Sequence, residues 1–229
     1  TSLVIFAPSP FSHFSLIIFD QLIKLKLKPS LIVVRKFTTS RLLDELNRDG
    51  LNIVCKKIWR KMILKENENN SPGSYGTVEL INDLNINDKN LKKLSKENSI
   101  RYVEVKNFSD IDENLKVINP DYGIFTGGGM IDGSTIDKFK NGIINTHMGP
   151  LPHYRGMDVV QAPILDGKFR SVSLTTHFID KKLDQGPILA KMNFDSRSYN
   201  NLASIRNELS TSQPVLALYS LLNYINKKI

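Results

Sequence analysis

Short apolar runs alternate along this chain with longer segments in which apolar residues recur at helical spacing. Leu3–Ala7 is a strand-length apolar run that prolines bring to an end, and residues 14–27 then carry apolar residues three or four positions apart. A second, β-branched run follows at residues 31–34. A strand, a helix and a strand in this order predict a right-handed βαβ unit, and therefore a parallel sheet.

The same alternation resumes after residue 88 and continues to the end of the chain. We expect strands at 101–105, 122–125, 142–145, 172–179 and 187–192, and helices at 88–98, 134–140 and 158–165. Closing helices follow, and Pro214 is expected in the first turn of the last one. With no internal repeat and no linker, residues 1–229 are predicted to form a single α/β domain, a doubly wound, mostly parallel sheet with helices on both faces.

Residues 56–90 depart from this regular alternation. Trp59, Met62 and Ile63 can line one side of a basic helix, whereas 67–76 is polar and contains the proline and glycines of a loop. A further helix is expected at 40–47. The basic helix allows two interpretations, a solvated face with a small apolar stripe or a nucleic-acid footprint. We favour the first, because a few lysines on one helix fall short of the clustered patch of nucleic-acid binders.

Composition narrows the class of protein without choosing a partner. The chain has 31 basic and 23 acidic residues, a net charge of +8, which favours anionic partners such as phosphorylated small molecules or nucleic acid, or reflects a lysine-rich surface with no specific purpose. The single cysteine, Cys55, rules out an intrachain disulfide framework and fits a reducing compartment. No apolar run reaches the roughly eighteen residues of a membrane span. We therefore expect a cytoplasmic protein that does not bind membranes.

Two of the predicted strands end in polar or glycine-rich text. The strand at 122–125 runs into three glycines at 127–129, and the strand at 142–145 ends in Asn145, Thr146 and His147. Ligands of parallel sheets lie beyond the carboxyl ends of the strands. Side chains two positions apart on an extended segment share a face, so Asn145 and His147 are expected to point the same way. An amide donor beside an imidazole can stabilise a developing oxyanion.

A third candidate, Asp184, lies in the loop DKKLDQGPIL between two apolar runs. A carboxylate near an imidazole raises the basicity of the ring and fixes its orientation. Each of these three residues, taken alone, is as compatible with a strand end or a loop cap. Together they indicate acyl transfer. No histidine has metal-ligand spacing with cysteine or carboxylates, so we expect no metal.

The segments GIINTHMGPLPHYRG and THFIDKKLDQGPIL together resemble the folate-dependent formyltransferases. An Asn-x-His, a Leu-Pro with a nearby glycine and a later Leu-Asp-x-Gly carry the resemblance, which is closest over residues 122–192. It implies a Rossmann-like fold, 10-formyltetrahydrofolate as co-substrate, and a catalytic role for Asn145, His147 and Asp184. The folate-binding residues that the resemblance implies are Gly127, Gly128, Gly129, Met130, Ile131, Ile179, Asp180 and Leu183.

Other positions near these motifs are less decided. The family usually has serine two residues after the histidine, where this chain has Gly149, so the positioning role of that hydroxyl is expected to be absent or supplied by another group. His177 matches a family histidine near the site, which implies a supporting role. Arg155 can meet an acceptor phosphate or serve the turn. His153 is expected in a surface loop, and His13 is expected to cap or line the first helix.

The identity of the amine acceptor is predicted only as a class. Closing helices alone follow residues 187–192, which argues against the separate C-terminal domain that the resemblance implies for methionyl-tRNA enzymes. After the first strand, where the resemblance implies a phosphate-binding segment in glycinamide ribonucleotide enzymes, this chain has the different sequence APSPFSHF. We therefore expect a primary amine on an amino-sugar nucleotide or another phosphorylated small molecule, with residues 56–90 as an acceptor wall. The alternatives are a glycinamide ribonucleotide formyltransferase, a 10-formyltetrahydrofolate hydrolase and a non-catalytic, basic nucleic-acid-binding domain.

Overall fold

The computed structural model describes residues 1–36, 38, 75–156 and 159–226. The helix expected at 40–47, Cys55 and the basic helix near Trp59 lie outside these residues. Most of the segment 56–90, which is expected to form an acceptor wall, lies outside them as well. The described residues contain every predicted strand and all the residues predicted to be catalytic or folate-binding.

Seven strands form one sheet in the order β3-β2-β1-β4-β5-β6-β7. Strands β1 to β5 run parallel, and β6 and β7 are antiparallel to their neighbours. Each strand lies within two residues of its predicted bounds. The strands are Leu3–Ala7 (β1), Leu31–Arg35 (β2), Arg101–Val105 (β3), Tyr122–Phe125 (β4), Ile143–His147 (β5), Val172–Phe178 (β6) and Ile188–Phe194 (β7).

Helices cover both faces of the sheet, which confirms the predicted α/β architecture. Alternate residues of β1 point to opposite faces, so Leu3 and Ile5 pack in one core cluster and Val4 and Phe6 in another. No helix in the described part of the chain is long and apolar enough to cross a membrane. The helices are His13–Lys24 (α1), Tyr75–Asp83 (α2), Leu91–Glu97 (α3), Asp112–Ile118 (α4), Gly133–Ile136 (α5), Ala162–Leu165 (α6) and Leu202–Asn226 (α7).

The order of the strands reverses between β1 and β4, and this opens a crevice beyond their carboxyl ends. The glycine run after β4 closes one side of it, with φ angles between 103° and 130° at positions 127–129. A Cβ on Gly128 would lie 2.6 Å from the Cα of Pro8, in the segment after β1. Glycine is therefore required for these two segments to pass each other at the switch point.

The prediction that Pro214 begins the last helix is wrong, because Pro214 is buried inside α7. Proline in a helix interior costs about 3 kcal/mol. Here Leu209 on one side and Leu216 and Leu221 on the other are buried against the sheet. Burying such side chains contributes about 1.5–3 kcal/mol each, so together they outweigh the cost of the proline and keep one helix.

The predicted loop at 67–76 is wrong at its end, because residues 75 and 76 begin α2. The backbone N–H of Gly76 donates to Asn207 Oδ1 of α7 at 2.6 Å. A Cβ at this position would lie 2.6 Å from the Thr211 side chain. Gly76 therefore allows a close contact between two helices. Of the two roles expected for His13, the cap belongs to Ser12, whose side chain accepts from the N–H of Ser15, and His13 is the first residue of α1.

Candidate active site

A cavity of about 200 Å³ opens at the carboxyl ends of β4 and β5. It contains all three predicted catalytic residues and six of the eight predicted folate-binding residues. The exceptions are Gly127 and Gly128, which shape the turn behind the cavity wall. The lining residues are Phe125, Gly129, Met130, Ile131, Asn145, His147, Gly156, His177, Ile179, Asp180, Lys181, Leu183 and Asp184.

Asn145 lies opposite His177 in the antiparallel pairing of β5 with β6. Directly opposed residues of an antiparallel pair share one face of the sheet, so both side chains enter the cavity. Asn145 Nδ2 lies 3.2 Å from His177 Nε2. The neighbouring residue of each strand, Thr146 and Thr176, forms a hydroxyl–hydroxyl bond of 3.0 Å on the opposite face.

The hydrogen bonds of His177 define its protonation. Its Nδ1–H donates to the Phe178 carbonyl at 2.8 Å, because a carbonyl can only accept. Its Nε2 accepts from the Asn145 amide, because an amide nitrogen can only donate. Burial lowers the pKa of His177 below its ordinary value of 6.5, against smaller opposing contributions from the hydrogen bond to the Phe178 carbonyl and from the Asp184 carboxylate. The ring is therefore neutral, with its hydrogen on Nδ1.

Asp184 places its carboxylate between two imidazole rings. Its Oδ2 lies 3.7 Å from His147 Nδ1, and its Oδ1 lies 3.7 Å from His177 Nε2. The side chain is only 8% exposed, and Oδ2 accepts a hydrogen bond of 2.9 Å from the backbone N–H of Gly156. This bond ties the loop between β6 and β7 to the loop after β5.

Backbone geometry explains how Asp184 reaches this place. Asp184 itself has φ +51°, in the left-handed region. Aspartate tolerates this region better than most residues. Two residues later, a Cβ on Gly186 would overlap the Phe178 carbonyl, so only glycine allows the loop to pack against the end of β6. The Asp-x-Gly of the motif is thus a requirement of the backbone as well as of the carboxylate.

His147 is held between the two loops. Its Nε2–H donates to the Tyr154 carbonyl at 3.0 Å, while its Nδ1 faces Asp184. A Cβ on Gly149 would lie 2.6 Å from His147 Nε2 and 2.6 Å from Val159 Cγ2. The ring therefore occupies the space next to Gly149 that a serine side chain would need.

The cavity has a polar base and an apolar wall. Phe125, Ile131 and Ile179 provide the wall, while Met130 and Leu183, 77% and 57% exposed, stand at the mouth. An apolar slot with a few convergent polar groups is the usual form of a small-molecule site. In the residues that the structure describes, no group of histidine, cysteine, aspartate and glutamate is arranged to hold a metal ion.

The structure adds groups that the sequence analysis missed. Phe125, Gly156 and Lys181 line the cavity, and the Gly156 N–H and the Tyr154 carbonyl bind the polar residues through backbone atoms. The position of Phe125 just before the glycine run was a usable signal, whereas backbone contacts leave no mark in side-chain identity. Arg155 and His153, considered earlier, do not line the cavity.

Comparisons with known proteins agree with this geometry. A protein-family model described as Formyl transferase matches residues 83–216. A methionyl-tRNA formyltransferase of Borreliella burgdorferi (strain ZS7) is 34% identical over 116 residues, which are 48% of this chain and 37% of that protein. One of Borrelia turicatae is 30% identical over 139 residues, 60% of this chain and 44% of that protein. The chain thus matches less than half the length of these curated relatives.

Solved structures share the fold at low sequence identity. The phosphoribosylglycinamide formyltransferase of Bacillus halodurans superposes with a TM-score of 0.65 at 14% identity, covering 100% of this chain and 97% of its own. A formyltetrahydrofolate deformylase of Pseudomonas syringae superposes with a TM-score of 0.56 at 13% identity, covering 95% and 60%. The family match spans more than half of the chain and includes β4 to β7 and every residue of the cavity. The chain therefore belongs to the formyl transferase family.

Proposed function

We propose that this chain transfers a formyl group from 10-formyltetrahydrofolate to a primary amine. One observation carries the proposal. The Asn145 amide, the His147 ring and the Asp184 carboxylate line a single cavity beyond the carboxyl ends of the parallel strands. Family membership indicates formyl chemistry, and these three groups are the kinds of donor and proton acceptor that acyl transfer to an amine requires.

The pterin of the folate is assigned to the apolar wall of the cavity. Ile131 and Ile179 offer apolar contacts to a flat ring, and Phe125 lies at the same wall. Gly129 and Asp180 line the same cavity, and we assign their backbone groups to the polar edge of the ring. This assignment leaves the formyl group directed toward the polar base, where Asn145 and His147 lie.

The chemical step begins when the amine nitrogen attacks the formyl carbon. A carbon–nitrogen bond forms, and the carbonyl electron pair moves to oxygen. Asn145 Nδ2–H donates to this oxyanion, and His147 Nε2–H does so by exchanging the Tyr154 carbonyl for it. Such donors are each worth on the order of 10²–10³-fold in turnover. The amine proton passes through water to Asp184. The oxyanion then re-forms the carbonyl as the bond to N10 breaks, N10 takes that proton from Asp184, and tetrahydrofolate leaves.

For the acceptor, we propose a primary amine on an amino-sugar nucleotide or another phosphorylated small molecule. The net charge of +8 favours an anionic acceptor. Methionyl-tRNA is the second candidate, because the relatives with matching sequence are named for that substrate. Their similarity covers only 48% and 60% of this chain and 37% and 44% of the relatives themselves. It therefore speaks for the reaction more than for the acceptor.

The reaction is tested with three variants and one matched control. We expect His147→Ala and Asp184→Asn each to lower formyl transfer by on the order of 10²–10⁴-fold, the scale of a lost acid–base group. Asn145→Ala should cost about a hundredfold or more, the scale of one oxyanion donor. Because the groups act as a unit, the double variant of His147 and Asp184 should be little worse than either single one. His153→Ala, the same substitution on an exposed ring outside the cavity, should keep wild-type turnover.

The acceptor is tested with a panel at fixed 10-formyltetrahydrofolate. The panel holds amino-sugar nucleotides, glycinamide ribonucleotide, methionyl-tRNA and no added amine. Formylation of an amino-sugar nucleotide supports the proposal, and formylation of only one of the other amines replaces the acceptor. Formate release without an amine would identify a hydrolase. Absence of folate binding, together with RNA binding that weakens steeply with salt, would refute the enzyme altogether.

A further inference from the structure

We propose that His177 is a positioning residue that fixes the rotation of the Asn145 side-chain amide, and that only its neutral Nδ1–H form does so. The inference rests on the proposed function, because it assigns Asn145 as an oxyanion donor. The resemblance to the family implies an unspecified supporting role for His177, and the inference states which group the ring positions and in which protonation state. His177 makes no contact with the reacting atoms in this scheme and acts through Asn145.

The His177 ring selects one of the two rotations of the Asn145 side-chain amide. Asn145 Nδ2 has two hydrogens, and one of them is donated to His177 Nε2. In the part of the chain that the structure describes, the second hydrogen has no protein partner, and Asn145 lines the cavity. If the amide turned by half a rotation, Oδ1 would face the lone pair of Nε2. Two acceptors would then oppose each other in a buried place, so the ring selects the rotation in which Nδ2 is presented to substrate.

The surroundings of the His177 ring hold it in this form. The Phe178 carbonyl accepts from Nδ1 at 2.8 Å and therefore keeps the hydrogen on that nitrogen. Gly186 packs against the same carbonyl, so the loop that carries Asp184 also buttresses the acceptor of His177. The side chain of His177 is only 2% exposed. A ring this buried cannot exchange its partners with water, and the Asn145 amide inherits its orientation.

Protonation of His177 at Nε2 would reverse the arrangement of donor and acceptor. A proton on Nε2 would turn that nitrogen into a donor, and Asn145 Nδ2–H would then face another N–H. The amide would turn to bring Oδ1 to the ring, and the donor to the oxyanion would be lost. The charged or titratable groups that face the ring are Asp184, which favours this protonation, and His147, which opposes it. Burial, together with His147, outweighs the hydrogen bond to the Phe178 carbonyl and the Asp184 carboxylate, so the pKa of His177 lies below its ordinary value and the ring stays neutral until the solution becomes more acidic than usual for histidine.

Two substitutions separate this role from simple packing. His177→Leu fills the space but removes the acceptor, and we expect turnover to fall on the order of a hundredfold with folate affinity changed by less than about threefold. His177→Gln keeps an acceptor oxygen near Nε2 but cannot be protonated. It should recover most of the loss, to within about tenfold of wild type, and the acidic limb of the pH–rate profile should move to lower pH. Thr176→Val, the neighbouring buried residue on the opposite face, serves as the matched control and should leave the profile unchanged.

A spectroscopic readout tests the same inference without turnover. In protein labelled with ¹⁵N at histidine and asparagine, we expect His177 to show the Nδ1–H tautomer near pH 7. The side-chain amide of Asn145 should change its shift at the pH at which His177 is protonated, and His177→Gln should abolish that change. An Nε2–H tautomer, a cationic ring at pH 7, or an Asn145 amide that ignores the titration would overturn the inference. Because this measurement needs no acceptor, it succeeds or fails independently of the proposed reaction.

Discussion

The substitution Gly149→Ser tests whether the place of the His147 ring depends on the missing side chain. Serine is the residue that the resemblance to folate-dependent formyltransferases leads one to expect here. A Cβ at this position would lie 2.6 Å from His147 Nε2 and 2.6 Å from Val159 Cγ2, whereas ordinary contacts begin at 3.4 Å. Both neighbours would be overlapped by 0.8 Å, the difference between these two distances. We therefore expect Gly149→Ser to impair the protein.

The overlap translates into two measurable losses. Overpacking of this kind costs about 1–3 kcal/mol of stability. In a domain of this size, each kcal/mol lowers the melting temperature by roughly 2–4 °C. The imidazole is the more mobile of the two neighbours, and its rotation would break the 3.0 Å bond to the Tyr154 carbonyl. A misplacement of about 1 Å at a reacting group can lower turnover on the order of a hundredfold.

The assay combines formyl transfer with thermal unfolding and includes two further variants. Gly133→Ser is the matched control, because the nearest atoms there belong to the flexible Lys181 side chain, and it should change stability by no more than about 0.5 kcal/mol. Adding Val159→Ala to Gly149→Ser should restore part of the melting temperature and little of the turnover, since the clash with the ring remains. Wild-type turnover and stability in Gly149→Ser would refute this account of the site.

Three further predictions follow from the described geometry. Gly128→Val should weaken folate binding and lower stability, because Gly128 has φ +103° and a Cβ there would lie 2.6 Å from the Pro8 Cα. Unchanged folate binding by calorimetry would contradict the placement of folate beside this turn. Gly186→Ala should lower turnover, and should lower stability by about 1–3 kcal/mol, because its Cβ would overlap the Phe178 carbonyl. Transfer assays and equilibrium unfolding measure the two losses, and a variant that is normal in both would show that the loop relaxes freely. The pKa of buried His177 is lower in the folded than in the unfolded chain. Its contribution therefore keeps the free energy of unfolding highest above pH 6.5 and lowers it as the pH falls below that value. Denaturant titrations of wild type and His177→Gln between about pH 5 and 8 should diverge only on the acidic side.

The sheet was predictable because its strands are short, apolar and punctuated by polar text. The sequence predicts β1, β3 and β4 at their observed bounds, because β1 and β4 are short, mainly apolar runs and β3 is rich in valine and tyrosine, which favour strands. Contacts between helices left no such signal. The glycine and serine residues around position 75 are typical of loops, and the contact of Gly76 with Asn207, which supports the start of α2, joins residues far apart in the sequence. Pro214 is a helix starter by its own preference, and burial of its neighbours overrides that preference.

The candidate site was predictable to the extent that its groups belong to side chains with a fixed spacing. Asn145 and His147 share a face by the two-residue period of a strand, and the Asp-x-Gly text identified Asp184. The pairing of Asn145 with His177 could not be predicted from the sequence. It depends on the register of β5 with β6, and loop geometry contributes to that register. The backbone groups of Tyr154 and Gly156 were out of reach for a simpler reason, since every residue carries the same ones.

These backbone contacts satisfy the polar groups of the cavity while the groups are shielded from water. They also leave both groups available for the reaction, because each contact can be exchanged. The Asp184 carboxylate is satisfied by the Gly156 N–H, and the His147 ring by the Tyr154 carbonyl, and both bonds come from the loop after β5. A displacement of that loop would therefore free the carboxylate oxygen and the ring N–H together. These are the two groups that the proposed reaction needs, one for the amine proton and one for the oxyanion. The same loop contains Gly149, whose lack of a side chain leaves the ring room to exchange one partner for the other.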